Sequence, residues 1–451
     1  MNATRTGTLA CLIIAASLGG AAARGAALSG EAMVIVGRDL RPIERDPVTD
    51  LSWSSGIIEY RDVRGLLRSA PRAEIGLIAP SWWWNASPHD PAAGDPFVGG
   101  ADSARLGVLA LTDGQRLVGW FDVGTDPGGS PDDVTWMSET LGRRRVKLEA
   151  ISEWRARGAR PPGLAAGNDD LVVLTNGDRL MGFVESLGST VAIRSGATTV
   201  RTPVDRVAFV RLANPAHARA SDPAIAARVW LSDGSVIVAA SVESSPVGGG
   251  VSVRLGPALG SPGGANTTDE AASVTLKPEQ IAAASLGAWG QPDRAGAITP
   301  LARVRVTSQS SEPGQPDSDA RVVVEDEATV PTGTLLDCPA VVLTGPMRAE
   351  WTLGPAVNAQ GRRLSAWIMI PEECRVWGDF EVRLFWLDAR ESPDAPGREL
   401  WAARLRESDP LKPMEVDLPT SAGRIRVTLL AGEHGAIQDR ARLVRALLAS
   451  W

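Results

Sequence analysis

The chain has 451 residues, 44% of them apolar, with 47 glycines, 32 prolines and a formal net charge of −7. That length holds two to four domains, and the glycine and proline content points to many turns and linkers. The modest, dispersed charge argues against a nucleic-acid binder, which would carry a basic patch. Lysine occurs only at Lys147, Lys277 and Lys412, an arginine bias that fits a GC-rich bacterial genome.

Residues 1–27 read as a signal peptide. Arg5 precedes the apolar run LACLIIAASLGGAAA, which is short for a membrane span and is followed by small residues suited to cleavage. Cys11 lies inside that run without a lipobox before it. The alternative is an uncleaved anchor. No later stretch resembles a span, so the expected location is periplasmic or extracellular.

Residues 28–106 form an N-terminal β region of short strands, a degenerate extra repeat without a hairpin signature, ending in a tryptophan-rich loop. Trp82, Trp83 and Trp84 stand between Pro80 and Pro88, and in an extended chain three consecutive side chains cannot share one face. Two readings stand: an exposed aromatic platform for a sugar or a partner, or a plug over the open end of the first barrel.

Three similar stretches follow, at 107–155, 168–212 and 226–289. The template is VVLTNGDRLMGFV, where Asn176-Gly177 supplies a tight hairpin turn. Gly182 then interrupts the second strand, where a missing Cβ permits a sharp bend. VLALTDGQRLVGWFDV repeats this with Asp113-Gly114 and Gly119; RVWLSDGSVIVAASV repeats it with Asp233-Gly234 and Ala239 in place of the glycine. Starts at Leu111, Leu174 and Leu231 are about sixty residues apart, enough for a small β domain. Asp113, Asp178 and Asp233 shape turns and need touch no ligand. Pro203 marks a further turn before the last strand of its unit.

Residues 308–320 have the composition of a disordered linker. Beyond it, 321–451 alternates apolar and polar residues in short runs separated by turns, as in a β-sandwich. FEVRLFWLD sets Phe380, Val382, Leu384 and Trp386 on one face, with Glu381, Arg383 and Phe385 on the other. Cys338 and Cys374 are the thiols left after processing. A disulfide between them in an oxidising compartment would add about 3–4 kcal/mol; two separate buried cysteines are the alternative. Without CxxC spacing or a nearby histidine they do not make a metal site.

The strand pattern and the turn and bend glycines of the repeats resemble Sm-like small barrels. RRLSAWIMIPEE, DFEVRLFWLDA, ELWAARLRES and MEVDLPTSAGRIRVTLLAGEHGAIQDRARLVRALL resemble the novel putative carbohydrate-binding module (NPCBM) family, a galactose-binding-like jelly roll. Asp388 and Asp439 fall on the matching acidic positions and Ala441 on the closing alanine. Leu443 stands where the family has tryptophan, and Arg445 at its later acidic position. The resemblance implies a carbohydrate-binding fold with Asp388 and Asp439 as candidate ligand residues; from the residues alone, Asp439 could equally cap the turn after Gly435.

No GxSxG, HExxH, Walker or dinucleotide signature occurs, and His89, His217 and His434 lie far apart in loop-like surroundings. The expectation is therefore a mainly β, secreted, non-catalytic binding protein of the cell envelope, needing no cofactor or metal. Its tandem small barrels precede a terminal sandwich that recognises a glycan or surface polymer. The alternatives are an assembly scaffold, in which the barrels contact protein partners or self-associate, and a glycoside-active enzyme with paired carboxylates.

Overall fold

The computed structural model describes residues 32–85 (except 45 and 55), 106–122, 132–159, 168–213, 227–244, 251–255, 259–260, 273–311, 320–325, 336, 338–433, 435 and 439–451. The signal segment 1–27 and all three histidines lie outside them. Among the described residues no helix is long and apolar enough to cross a membrane.

The protein is mainly β, and its first half is four copies of one pattern: four strands (five in repeat 3, with the short β19), a single 3-10 turn and a last strand. The N-terminal unit has β1 (Met33–Gly37), β2 (Thr49–Trp53), β3 (Ile57–Arg61), β4 (Leu67–Pro71) and β5 (Ile75–Pro80). Repeat 1 has β6 (Gly107–Leu111), β7 (Arg116–Phe121), β8 (Asp133–Ser138), β9 (Gly142–Lys147) and β10 (Ile151–Ala156). Repeat 2 has β11 (Asp170–Leu174), β12 (Arg179–Ser186), β13 (Thr190–Ser195), β14 (Thr198–Pro203) and β15 (Val207–Arg211). Repeat 3 has β16 (Ala227–Leu231), β17 (Val236–Ser244), β18 (Val251–Leu255), the short β19 (Leu259–Gly260), β20 (Ser273–Leu276) and β21 (Ile281–Leu286). In every unit the last strand pairs antiparallel with the first. The N-terminal region is thus a full copy. Its hairpin signature is missing because residues 38–48 replace the tight turn, held by bridges from Val36 to Pro42 and Met33 to Val48.

The bend glycine does what its position predicts. β12 pairs with β11 through Gly182, and with β13 from Phe183 onward, so one strand belongs to two ladders. A Cβ on Gly182 would lie 2.1 Å from the Arg194 carbonyl oxygen, and one on Gly119 1.9 Å from that of Met137. In repeat 3, Ala239 takes this place and the ladder shifts register before Ser241. The turn residues act locally: Asp113, Asn176 and Asp233 each accept the backbone N–H two residues on.

The units are not arranged in chain order. Last strands pair with last strands, β5 with β21 and β10 with β15. Repeats 1 and 3 meet where Arg116 pairs with Val236 and Leu259 with Val146. The spatial order is therefore N-terminal unit, repeat 3, repeat 1, repeat 2. One apolar cluster runs through all four, from Ile35 and Leu51 through Leu255 and Val229 to Trp136, Leu109, Val172 and Val191. No unit has a core of its own.

The second half is two facing sheets. Its strands are β22 (Ala297–Pro300), β23 (Val306–Ser311), β24 (Arg321–Val324), β25 (Val341–Thr344), β26 (Met347–Leu353), β27 (Arg362–Met369), β28 (Asp379–Asp388), β29 (Arg398–Arg406), β30 (Leu411–Leu418), β31 (Gly423–Ala431) and β32 (Arg440–Ser450). One sheet runs β24-β25-β32-β27-β30 with β22 beside β32; the other runs β23-β26-β31-β28-β29. Phe380, Val382, Leu384 and Trp386 are buried between them, while Glu381, Arg383 and Phe385 stay half-exposed.

The linker expected at 308–320 is corrected in its first part. Ser308–Ser311 complete β23, an edge strand paired with Arg348–Glu350 and Met347 of β26. Its side chains are largely exposed, so the polar composition reflects an edge facing water, and the backbone ladder supplies the order. The sandwich therefore begins near Ala297, not Arg321.

Candidate functional site

The tryptophan-rich stretch is a short helix, Ser81–Asn85, and not a loop. Trp83 is buried in a cluster with Val34, Val36, Ala79, Trp230, Leu447 and Ala449, where the repeats meet the sandwich. Arg445, held at φ 53°, stacks 5.3 Å over the Trp83 ring and donates to the Trp84 carbonyl at 3.2 Å. Burial lowers the Arg445 pKa to about 10. Trp83 is thus neither an exposed platform nor a plug on one barrel; it wedges the two halves together. The side chain of Trp82 lies outside the described residues, and that of Trp84 is half-buried beside the same cluster.

No disulfide joins Cys338 and Cys374. They sit in different apolar clusters, Cys338 at the junction and Cys374 in the sandwich core. Burial foremost raises the Cys374 pKa.

Asp388 and Asp439 do not share a site. Asp388 ends β28, and its carboxylate accepts the Trp386 indole N–H at 2.9 Å. Asp439 lies near Asp379, which begins that strand. Ten residues at about 3.3 Å each separate the two ends by roughly 30 Å.

The end around Asp379 is where polar and aromatic groups gather. Asp379 takes both Arg404 nitrogens, at 2.8 and 2.7 Å, and the Glu433 backbone N–H at 3.0 Å. Arg404 reaches on to the exposed Glu433 carboxylate at 2.9 Å. The Arg404 bonds hold Asp379 at a pKa of about 2. β29 brings Arg404 there because Asp379 is registered opposite Arg406, two residues on and on the same face. Gly432 is required beside it, since a Cβ would lie 2.0 Å from the Asp379 carbonyl.

Asp439 lies beneath, 3% exposed. Its backbone carbonyl accepts the Gly345 N–H at 2.7 Å, but neither carboxyl oxygen has a hydrogen-bond partner among the described residues. Burial first, and the Asp379 charge second, push its pKa up to about 7. One carboxyl fixed ionised beside one held near neutral is the division of an acid–base pair. Here it is closed to substrate, because Asp439 is covered and Asp379 is committed to Arg404.

Two residues before Asp379, Trp377 projects 52% exposed beside exposed Val376, in the turn after the 3-10 segment Glu372–Cys374. Gly378 lets this turn pack on Ile370 and the Cys374 carbonyl, where a Cβ would lie within 2.8 Å of both. Arg404 and Glu433 are not singled out by sequence. Trp377, which the sequence groups with Trp351, Trp367, Trp386 and Trp401 as strand tryptophans bound for the core, is corrected here: it stands exposed in a turn. The signal that would have marked Trp377 is its place outside the strand alternation, between two turn residues. No group of three or more metal-ligating side chains gathers among the described residues.

No protein-family model matches the chain, and no curated protein matches it. Among solved structures it is similar to a CBM51 module from Clostridium perfringens GH95 in complex with methyl-galactose, at 7% identity and TM-score 0.26, covering 34% of this chain and 99% of that one. It is also similar to the tandem CBM51 modules of Sp3GH98, a family 98 glycoside hydrolase from Streptococcus pneumoniae, at 9% identity and TM-score 0.26, covering 76% and 88%. The match to the CBM51-2 and INT domains of Clostridium perfringens ZmpB has 12% identity and TM-score 0.25; it spans 34% of this chain and 31% of that one. At these identities and scores the likeness decides neither fold nor ligand.

Proposed function

We propose that the chain is an exported, non-catalytic binding protein of the cell envelope, and that it recognises a glycan or surface polymer at the Asp379 end of its sandwich. The observation that carries this reading is an exposed tryptophan two residues along the chain from Asp379, the anchor of a fixed array of charged hydrogen-bonding groups. An indole face stacks on the apolar face of a sugar ring, and Glu433 and Arg404 offer an acceptor and donors for its hydroxyls. Asp379 orients Arg404, so the polar groups are set before a ligand arrives. The resemblance of residues 362–448 to the NPCBM family and the signal peptide expected at 1–27 support the same reading. Titration calorimetry of the full chain with neutral oligosaccharides tests it. Trp377→Ala is expected to lose binding while Asp388→Ala, at the far end of β28, retains it; the reverse pattern would place the site elsewhere.

A further inference from the structure

Repeats 1 and 3 contact each other through equivalent hairpins. Measured from Leu111 and Leu231, Gln115 matches Ser235, Arg116 matches Val236, and Val118 matches Val238. The contact between them is reciprocal. The Val118 N–H donates to Ser235 Oγ at 2.9 Å, and the Val238 N–H donates to Gln115 Oε1 at 3.1 Å. Arg116 and Val236 pair across the centre. Repeat 1 and repeat 3 are thus related at this contact by a local twofold, and Gln115, Arg116, Ser235, Val236 and Val238 are all buried by it.

Repeat 2 carries the same hairpin, with Asp178, Arg179 and Met181 at these positions and nothing of the described chain upon it. Met181 is 54% exposed and Phe183, an aromatic, 58%. The register is the same: Met181 opposes Leu171 as Val118 opposes Val108. The ladder therefore directs the Met181 N–H outward, as it does those of Val118 and Val238. Arg194 lies 5.5 Å over the Phe183 ring and pairs with Glu185 at 3.3 Å, which gives the apolar patch a charged rim.

We infer that the repeat 2 hairpin docks a second copy of this chain, hairpin to hairpin about a twofold axis, in the geometry by which repeats 1 and 3 already interlock. A surface that meets its own equivalent inside one chain is self-complementary in the sense a closed dimer needs. Burying Met181 and Phe183 on both copies supplies the apolar centre, and Asp178 of each copy comes within reach of the other's Arg179. The cost lies on the axis, where the two Arg179 residues face each other as Arg116 faces Val236.

Sedimentation velocity of the full chain, as a concentration series, tests this. A monomer–dimer equilibrium is expected, weakened at least about tenfold by Met181→Asp with an unchanged melting curve. Arg179→Val, which copies Val236, is expected to tighten it. In a Cys11→Ser background, Arg179→Cys is expected to form an oxidised dimer, because paired Cα atoms of adjacent strands lie within disulfide reach. A chain that stays monomeric at the highest soluble concentration overturns the inference, as does a dimer indifferent to Met181→Asp. Protection of Met181 only on adding another envelope protein would overturn it too, assigning the face to a different partner.

Discussion

The buried Asp439 makes a prediction whose sign and size both follow from its surroundings. Its carboxyl has lost water and gained no hydrogen bond among the described residues, and its neighbour Asp379 is negative. Its pKa therefore rises from 3.8 to about 7 in the folded chain. Between those values the folded state holds a proton that the unfolded state has released. Stability is full below the unfolded value, falls as pH climbs through about 7, and is level above it. At about 1.36 kcal/mol per pH unit, a shift of roughly three units is worth on the order of 4 kcal/mol. Asp439→Asn keeps the shape of the protonated acid and cannot ionise. Urea unfolding of the sandwich, followed by tryptophan fluorescence at a series of pH values, should give superimposable curves for wild type and variant only at or below the unfolded pKa of 3.8, with a gap that widens as pH climbs toward 7. Above pH 7 the variant should be the more stable, by roughly 2–4 kcal/mol. Parallel stability profiles across the whole range would refute the reasoning, since they would mean that Asp439 ionises at no cost.

Other expectations follow from single contacts. Gly182→Val places atoms 2.1 Å from the Arg194 carbonyl and should cost roughly 2 kcal/mol or more by thermal unfolding, whereas Gly65→Ala meets no atom and should cost less, from its φ of 74° alone. Arg426→Leu leaves the buried Glu350, which it meets at 2.8 Å, with only the Arg424 pair at 3.3 Å, and should destabilise by about 1.5–3 kcal/mol; hydrogen exchange should show residues 393–395 loosened, because Arg426 also holds the Pro393 and Ala395 carbonyls. Arg445→Ala removes the stack on Trp83 and the bond to Trp84, and should raise protease sensitivity at the junction while leaving the sandwich core folded.

Much of the architecture was legible because it depends on local rules. Asn-Gly and Asp-Gly turns mark the three repeats, a bend glycine marks repeats 1 and 2, and a proline precedes the last strand in repeats 2 and 3; these residues act on their own backbone. The N-terminal unit escaped the pattern because residues 38–48 do by longer-range bridges what a two-residue turn does elsewhere. β23 escaped it because an edge strand facing water needs no apolar alternation. The strand faces of the sandwich were legible by alternation, as in Phe380 to Trp386. The site was much less so. Asp388 and Asp439 are acidic residues 51 positions apart in sequence, and nothing local reveals that they sit at opposite ends of β28. Trp83 is buried only because two halves of the chain meet over it, and Cys338 and Cys374 are separated by the same meeting. Arg404 reaches Asp379 through strand register, which no local pattern encodes.

Binding of the full chain to a broad panel of glycans and envelope polymers tests the central claim most directly. The chain must be intact at least from Ala297, because β22 and β23 belong to the sandwich. The account predicts binding to at least one neutral saccharide that Trp377→Ala abolishes without lowering the melting temperature. Silence across the panel from a folded chain, or binding that Trp377→Ala leaves untouched, would contradict it.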